Sequence, residues 1–262
     1  ACQFAGLVIT PVNWRATSNE LEYVLVDCEA RALFYETASS DAVAGAPTAE
    51  KLPRIRVGSA RELDNDASTF EQFLRSPNEG RRVCLRPRSS PEATSVMLYT
   101  SGTTGRGKGV PRSHRAERAA ALAHVAQNLY AFGESTLGVM PLYHTMGVRS
   151  LLSMSCISGC FVCLPRFDIS EAFALIAAER ISTLYLVPTM YHDLIHHLDF
   201  PKSDVSSIRR IGFAGAPMTE GLLRAVEEAF APELFVNHYG SSEIYTFSVE
   251  QRAPEKPGSV GR

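Results

Sequence analysis

Tyr99-Thr-Ser-Gly-Thr-Thr-Gly-Arg-Gly-Lys-Gly109 lies between a β-rich run, Ser95–Thr100, and a helical run that begins near Arg115. Ser101, Thr103 and Thr104 supply hydroxyls, while Gly102, Gly105, Gly107 and Gly109 let the backbone approach a ligand closely. Lys108 adds a mobile positive charge. A polyphosphate needs this combination, because its oxygens require donors and its charge requires neutralising. A flexible surface turn is the plain alternative, and the density of donors and glycines directly after a buried strand argues against it. Gly102-x-x-x-x-Gly107-Lys108 also has P-loop spacing, but Gly109 replaces the Ser or Thr that holds Mg²⁺. A P-loop helix starts at its lysine. Here Gly109 and Pro111 predict continued extended chain.

Outward from the loop, short β-rich runs alternate with amphipathic helical stretches. Expected strands are Gly6–Thr10, Ala32–Glu36, Arg54–Val57, Ser95–Thr100, Leu137–Met140, Cys160–Leu164, Thr183–Val187, Ile208–Ala214 and Leu234–Tyr239. Expected helices include Ser18–Cys28, Arg115–Tyr130, Ser170–Glu179, Met190–Leu198 and Glu220–Phe230. In the last, Leu222, Leu223, Val226 and Phe230 recur at helical spacing, which marks one buried face. Strands alternating with such helices imply βαβ units and an α/β fold with mainly parallel sheets. The Arg-, Ser- and Pro-rich stretch Pro77–Pro91 is the expected internal boundary, giving a first α/β subdomain at 1–90 and a second at 91–262.

The 262 residues correspond to about 1.7 domains at roughly 150 residues each. A hydrophobic fraction of 45% with 21% charged residues excludes a disordered chain. Lys plus Arg total 26 against 28 Asp plus Glu, and this net charge of −2 gives no global reason to expect nucleic acid or an anionic membrane as partner. The uncharged run between Arg149 and Arg166 is shorter than the ~18 residues a spanning helix needs, so a buried helix-turn-strand is expected there. No signal peptide is visible. Six scattered cysteines suit reduced, cytoplasmic usage. The chain begins without Met and stops in mid-pattern at Arg262, as a piece of a longer protein would.

At residues 100–109 the sequence resembles the adenylate-forming enzymes: acyl- and aryl-CoA ligases, luciferases and peptide-synthetase adenylation domains. Their loop is similar to Thr-Ser-Gly-Thr-Thr-Gly-x-Pro-Lys-Gly, with Gly107 here in place of the usual Pro. Pro141-Leu-Tyr-His-Thr-Met-Gly147, Gly212-Phe-Ala-Gly-Ala-Pro-Met218 and Asn237-His-Tyr-Gly-Ser-Ser-Glu243 follow in the family's order. The resemblance covers nearly the whole chain and is closest in look to benzoate- and chlorobenzoate-type CoA ligases. It implies an enzyme that uses ATP to activate a carboxylic acid as an acyl-adenylate, which the CoA thiol then captures. A nucleotide-binding or carrier-protein-loading domain without CoA ligase activity is the alternative.

By that resemblance Ser101, Gly102, Thr103, Thr104, Gly105 and Lys108 would hold the β- and γ-phosphates. Ser242 would contact the α-phosphate beside Ser241 and Gly240, and Glu243 would hold Mg²⁺ together with Thr103. Gly215, Ala216 and Pro217 would line the adenine pocket, with Tyr239 stacking on the base. His144 matches the family's acyl-pocket histidine, and no acidic residue stands beside it to hold a substrate ammonium. Tyr185, Ala214, His238, Tyr245 and Thr246 would wall the acyl pocket, where chlorobenzoate-type ligases are more often aliphatic. Bulky rings with polar edges favour a compact aromatic or heteroaromatic acid, such as a benzoate or furoate. The family's ribose-binding Asp, hinge and small C-terminal domain lie beyond this sequence, so the piece alone is expected to have little ligase activity. Homodimerisation is left open.

Three other signals carry less. Cys156-x-x-x-Cys160-x-x-Cys163 has iron–sulfur spacing, but its last two cysteines are expected on opposite faces of a buried strand. His192-Asp-Leu-Ile-His196 resembles a zincin helix with Asp for Glu and no third ligand. Arg81, Arg82, Arg86 and Arg88 read as a solvated linker.

Overall fold

A computed structural model of the chain describes residues 2–58, 68–75, 86, 88–100 and 106–261. The chain divides into two compact units, Ala1–Arg112 and Ser113–Arg262.

In the first unit α1 (Ser18–Asp27) opens with a capping box. The Thr17 side chain accepts from the Glu20 amide, and the Glu20 carboxylate accepts from the Thr17 amide. Leu21, Val24 and Leu25 form its buried stripe. Strand β1 (Leu33–Glu36), short helices α2 (Ser40–Ala44) and α3 (Pro47–Glu50) and strand β2 (Arg54–Val57) follow. With β3 (Ser68–Thr69), which leads into α4 (Phe70–Arg75), β1 and β2 make a three-stranded parallel sheet. Strands β4 (Thr94–Thr100) and β5 (Lys108–Ser113) pair separately. The expected strand Gly6–Thr10 is reduced to a single parallel bridge, Ile9 to Val96. Pro11 has no N–H with which to lengthen that ladder. That bridge, with the Gln3 side chain bonded to Ser95, ties the β4 segment to the N-terminal residues. The compact boundary accordingly falls at Arg112, after the 1–90 span read from the sequence.

The second unit carries α5 (His114–Gln127), β6 (Ser135–Gly138), α6 (Thr145–Cys156), β7 (Cys160–Cys163), α7 (Ile169–Ala178) and β8 (Thr183–Leu186). It continues with α8 (Pro188–Ile195), β9 (Arg210–Phe213), α9 (Glu220–Phe230), β10 (Leu234–Tyr239) and β11 (Ser248–Glu250). Its six-stranded sheet has the order β11-β10-β9-β8-β6-β7, parallel except for antiparallel β11. Strands β6 and β8 are buried along their whole length, as central strands of a covered parallel sheet are. Helix α9 follows its expected bounds. Thr219 caps it, and Leu223, Val226 and Phe230 face the core. The core joins Ile176, Leu184, Leu186, Ile211, Phe213 and Phe235.

Three expectations shift. Strand β6 starts at Ser135, earlier than the apolar Leu137–Met140, because neighbouring carbonyls accept the hydroxyls of Ser135 and Thr136. Helix α8 starts at Pro188, whose fixed φ suits a first helical turn. Strand β11 carried no sequence signal. Strand β7 forms as expected but is the sheet edge, so Cys160 and Cys163 are exposed where burial was expected. The uncharged run past Arg149 does fold as helix, turn and strand, α6 to β7.

Candidate active site

Residues Ser101–Gly105 of the glycine-rich loop lie outside the described residues. Its flanks are fixed within the first unit. The Tyr23 hydroxyl donates to the Gly107 carbonyl at 2.8 Å, and the Arg106 guanidinium lies 5.5 Å from the Tyr23 ring centre. The Tyr99 hydroxyl donates to Asp27, and burial together with that carboxylate pushes its pKa up. Lys108 is exposed at the start of β5. The chain stays extended through Ser113 before α5 begins at His114, so no helix starts at the lysine, as a P-loop helix would.

In the second unit, a cavity of about 320 Å³ opens at the carboxyl ends of β9 and β10, the usual place for a ligand in a parallel sheet. Gly215, Ala216, Pro217, His238, Tyr239 and Gly240 are among its walls. Two stretches far apart in sequence thus meet around one space. The Tyr239 ring is exposed and stands 5.8 Å from the Phe247 ring. Beyond it the chain turns sharply, and the Tyr245 amide donates to the Ser241 carbonyl at 2.7 Å. Tyr245 holds a φ of +66°, a costly conformation for an aromatic residue, and its buried hydroxyl donates to Glu117 at 2.9 Å. A Cβ on Gly240 would lie 1.6 Å from the Tyr245 carbonyl oxygen, so only glycine fits that turn. The turn presents Ser241, Ser242 and an exposed Glu243, whose pKa is lowered first by the Ser241 hydroxyl and then by its own backbone amide.

His144 occupies the N-cap of α6 without a side-chain cap bond. Its exposed ring lies 4.6 Å from that of Tyr143, and partial desolvation lowers its pKa.

Tyr185, His238, Tyr245 and Thr246 do come together, around residues that sequence reasoning missed. The Asn128 amide donates to the His124 carbonyl at 2.8 Å and lies 3.1 Å from His124 Nδ1. That fixes its oxygen toward His238, whose Nε2 is 3.1 Å away and must therefore carry the proton. The ring centres of His124 and Tyr185 are 4.7 Å apart, and those of Tyr185 and His238 are 5.2 Å apart. Register alignment of Tyr185, Gly212 and Val236 puts Tyr185 and His238 on one sheet face. A Cβ at Gly212 would crowd Tyr185 at 2.9 Å and Asn128 at 3.2 Å, so this glycine makes the room. Arg149 of α6 enters the same cluster, 5.0 Å from the Tyr185 ring centre, and donates to the Thr246 hydroxyl. Ala214 lies beside the cluster's strand in the core. A signal existed in the sequence: Glu117, Ala121, His124 and Asn128 form one helical stripe, and all four are buried.

Burial, with the Arg149 charge second, drives the pKa values of His124 and His238 well below 6.5. Both rings are neutral in the folded chain. The unfolded chain protonates each as pH falls through 6.5 and the folded chain does not, so acid favours unfolding. Stability should fall below pH 6.5, by up to roughly 1–2 kcal/mol per pH unit for each histidine. Urea midpoints at pH 7.5, 6.5 and 5.5 check this, with His238→Gln expected to make the slope shallower. A flat profile would contradict neutral burial.

His192 and His196 stack 4.3 Å apart on an exposed face of α8, and no group of three or more metal-ligating side chains occurs among the described residues. Arg81 and Arg82 lie outside the described residues. No helix among them is long and apolar enough to cross a membrane.

The model of the AMP-binding enzyme family matches residues 1–262. An indoleacetate–CoA ligase of Aromatoleum aromaticum is 29% identical over all of this chain and 51% of its own length. A 4-chlorobenzoate–CoA ligase of a Pseudomonas species is 33% identical over 72% of this chain and 36% of its own. Among solved structures, a luciferase-like enzyme of the mealworm Zophobas morio superposes with a TM-score of 0.84 at 20% identity, covering 99% of this chain and 61% of that one. The chain thus spans about half the length of the indoleacetate ligase.

Proposed function

The chain belongs to the AMP-binding enzyme family, and from that premise we propose that the whole protein activates a carboxylic acid with ATP and transfers the acyl group to CoA. The cavity at the ends of β9 and β10 is the observation that carries this reading, because it joins the Gly215–Pro217 and Tyr239–Gly240 stretches as a nucleotide pocket requires. The relatives' names, indoleacetate–CoA and 4-chlorobenzoate–CoA ligases, support the reaction class. In this reading the acid's carboxylate oxygen bonds to the α-phosphorus, the bond to the bridging oxygen breaks, and pyrophosphate leaves. The CoA thiol then displaces AMP.

Ser101–Gly105 and Lys108 hold the β- and γ-phosphates, Ser242 the α-phosphate, and Gly215–Pro217 and Tyr239 the adenine. His144 borders the reacting carboxylate. Glu243 is an exposed, ionised oxygen donor, which suits Mg²⁺ bound by one or two protein oxygens and the substrate phosphates. Bound Mg²⁺ would neutralise developing phosphate charge. The acid is compact and aromatic or heteroaromatic, given the rings of His124, Tyr185 and His238 behind the cavity. The protein acts in the cytoplasm, in keeping with its free cysteines.

The test is pyrophosphate release by the full-length protein with short, aromatic, heteroaromatic and long-chain acids, with and without CoA. Release driven by a small aromatic acid, with thioester formed when CoA is present, is expected. Activity that grows with acyl chains beyond about eight carbons would sink the substrate class. Acid-dependent release without thioester would move the reading to carrier-protein loading.

A further inference from the structure

Arg149 is 3% exposed, and among the described residues no carboxylate pairs with it. A buried guanidinium without a counter-charge is expensive, and its pKa is pushed down to about 10 by burial. Its neighbours compensate only partly. The Tyr185 ring lies under it, and Thr246 accepts from Nη1. Among the described residues its Nε has no partner, and neither has the Tyr185 hydroxyl, although Tyr185 is 1% exposed. His238 Nδ1 is a third unpaired atom in the same cluster, left as a bare acceptor once Nε2 serves Asn128. Nearly all buried polar groups in native proteins are paired, so three orphans around one cation call for a ligand. His238 also walls the open cavity, which puts this cluster directly behind it.

We propose that Arg149, with the Tyr185 hydroxyl, is the specificity-determining donor pair of the acyl pocket. It selects acids that carry a hydrogen-bond acceptor at the end opposite the reacting carboxylate. This rests on the acid-activation reading above. The reacting carboxylate itself is the poorer occupant. Adenylation turns that carboxylate into the uncharged acyl carbonyl of a mixed anhydride, so an arginine paired with it would stabilise the ground state and lose its counter-charge in the product. An acceptor at the far end of the acid stays engaged through both half-reactions. Neither His124 nor His238 contributes positive charge beside Arg149, since both are neutral, so the guanidinium sets the polarity of the pocket floor.

The test uses the full-length protein, wild type and the variants Arg149→Met, Arg149→Lys and Tyr185→Phe, with acids matched in shape. Isonicotinate is set against benzoate, and 4-oxocyclohexanecarboxylate against cyclohexanecarboxylate. Terephthalate supplies the anionic arm. One readout is kcat/KM for acid-dependent pyrophosphate release, and the other is the shift in melting temperature with acid alone. Wild type should favour an acceptor-bearing acid over its matched partner by about tenfold or more, as a charge-assisted bond allows. Arg149→Met should bring that ratio to about one, Arg149→Lys should restore part of it, and Tyr185→Phe should leave an intermediate ratio. A larger preference for terephthalate identifies an anionic end group, and one for the pyridine or ketone a neutral end group; both support the proposal. Ratios near one in wild type, or a ratio that survives Arg149→Met, overturn it. Should Arg149→Met fail to fold, Tyr185→Phe and Arg149→Lys carry the same comparison. Should no acid release pyrophosphate, the ligase reading fails, while the melting arm still decides the role of Arg149. A larger stabilisation of wild type by the acceptor-bearing acid than by its matched partner, lost in Arg149→Met and reduced in the other two variants, keeps it, and equal shifts reject it.

Discussion

Glu134→Ala is expected to destabilise the second unit by about 3–5 kcal/mol, the range for removing one member of a buried ion pair. Glu134 is almost fully buried at the start of β6, where its carboxylate pairs with Arg210 of β9 and accepts the Ser182 hydroxyl at 2.8 Å ahead of β8. The Ala131 amide donates to the same side chain at 3.3 Å, and Ser182 Oγ in turn accepts from the Ser135 amide at 3.0 Å. One carboxylate therefore pins three adjacent parallel strands at their amino ends. Alanine would leave Arg210, whose side chain is only 16% exposed, with Glu233 at 3.9 Å as its remaining ion partner among the described residues. Glu134→Gln keeps the acceptor and removes the charge, so it should cost less. Replacing both members, as Glu134→Ala with Arg210→Met, should recover part of the loss because no uncompensated charge stays buried. Urea unfolding of the three variants measures this. A loss under about 1 kcal/mol for Glu134→Ala would mean that the pair behaves like a surface salt bridge.

Lys108→Met in the full-length protein should lower acid-dependent pyrophosphate release by about 10²–10³, the usual loss when one donor to a developing anion is removed. The side chain is exposed at the start of β5, and its strand pairing is made by the backbone, so melting should change by no more than about 0.5 kcal/mol. Lys108→Arg preserves charge but not the compact ammonium, and should fall between the two. A loss below about tenfold would show that the lysine does not serve the phosphates, because a charge-assisted contact to a polyphosphate is worth more than that.

Much of the fold was legible in the sequence because it rests on local periodicity. The alternation of strands and helices, the bounds of α9 and β10, and the extended chain after the glycine-rich loop all follow from residues close together in the chain. The order of the four motifs was enough to point to the family. What failed was burial. Cys160 and Cys163 looked like core residues, yet an apolar run cannot say that its strand is the edge of a sheet. Arg149 entered the sequence reading only as the end of an uncharged run, yet it is sealed in by Tyr185 and Thr246. The cluster of His124, Asn128, Arg149, Tyr185 and His238 draws on α5, α6, β8 and β10, with Asn128 just past the end of α5, and it exists because Gly212 leaves a gap between β8 and β10. Sequence pattern records which face of each element is apolar. Which polar groups share a dry interior, and which of their atoms lack a partner, is decided only when distant elements pack and water is excluded between them.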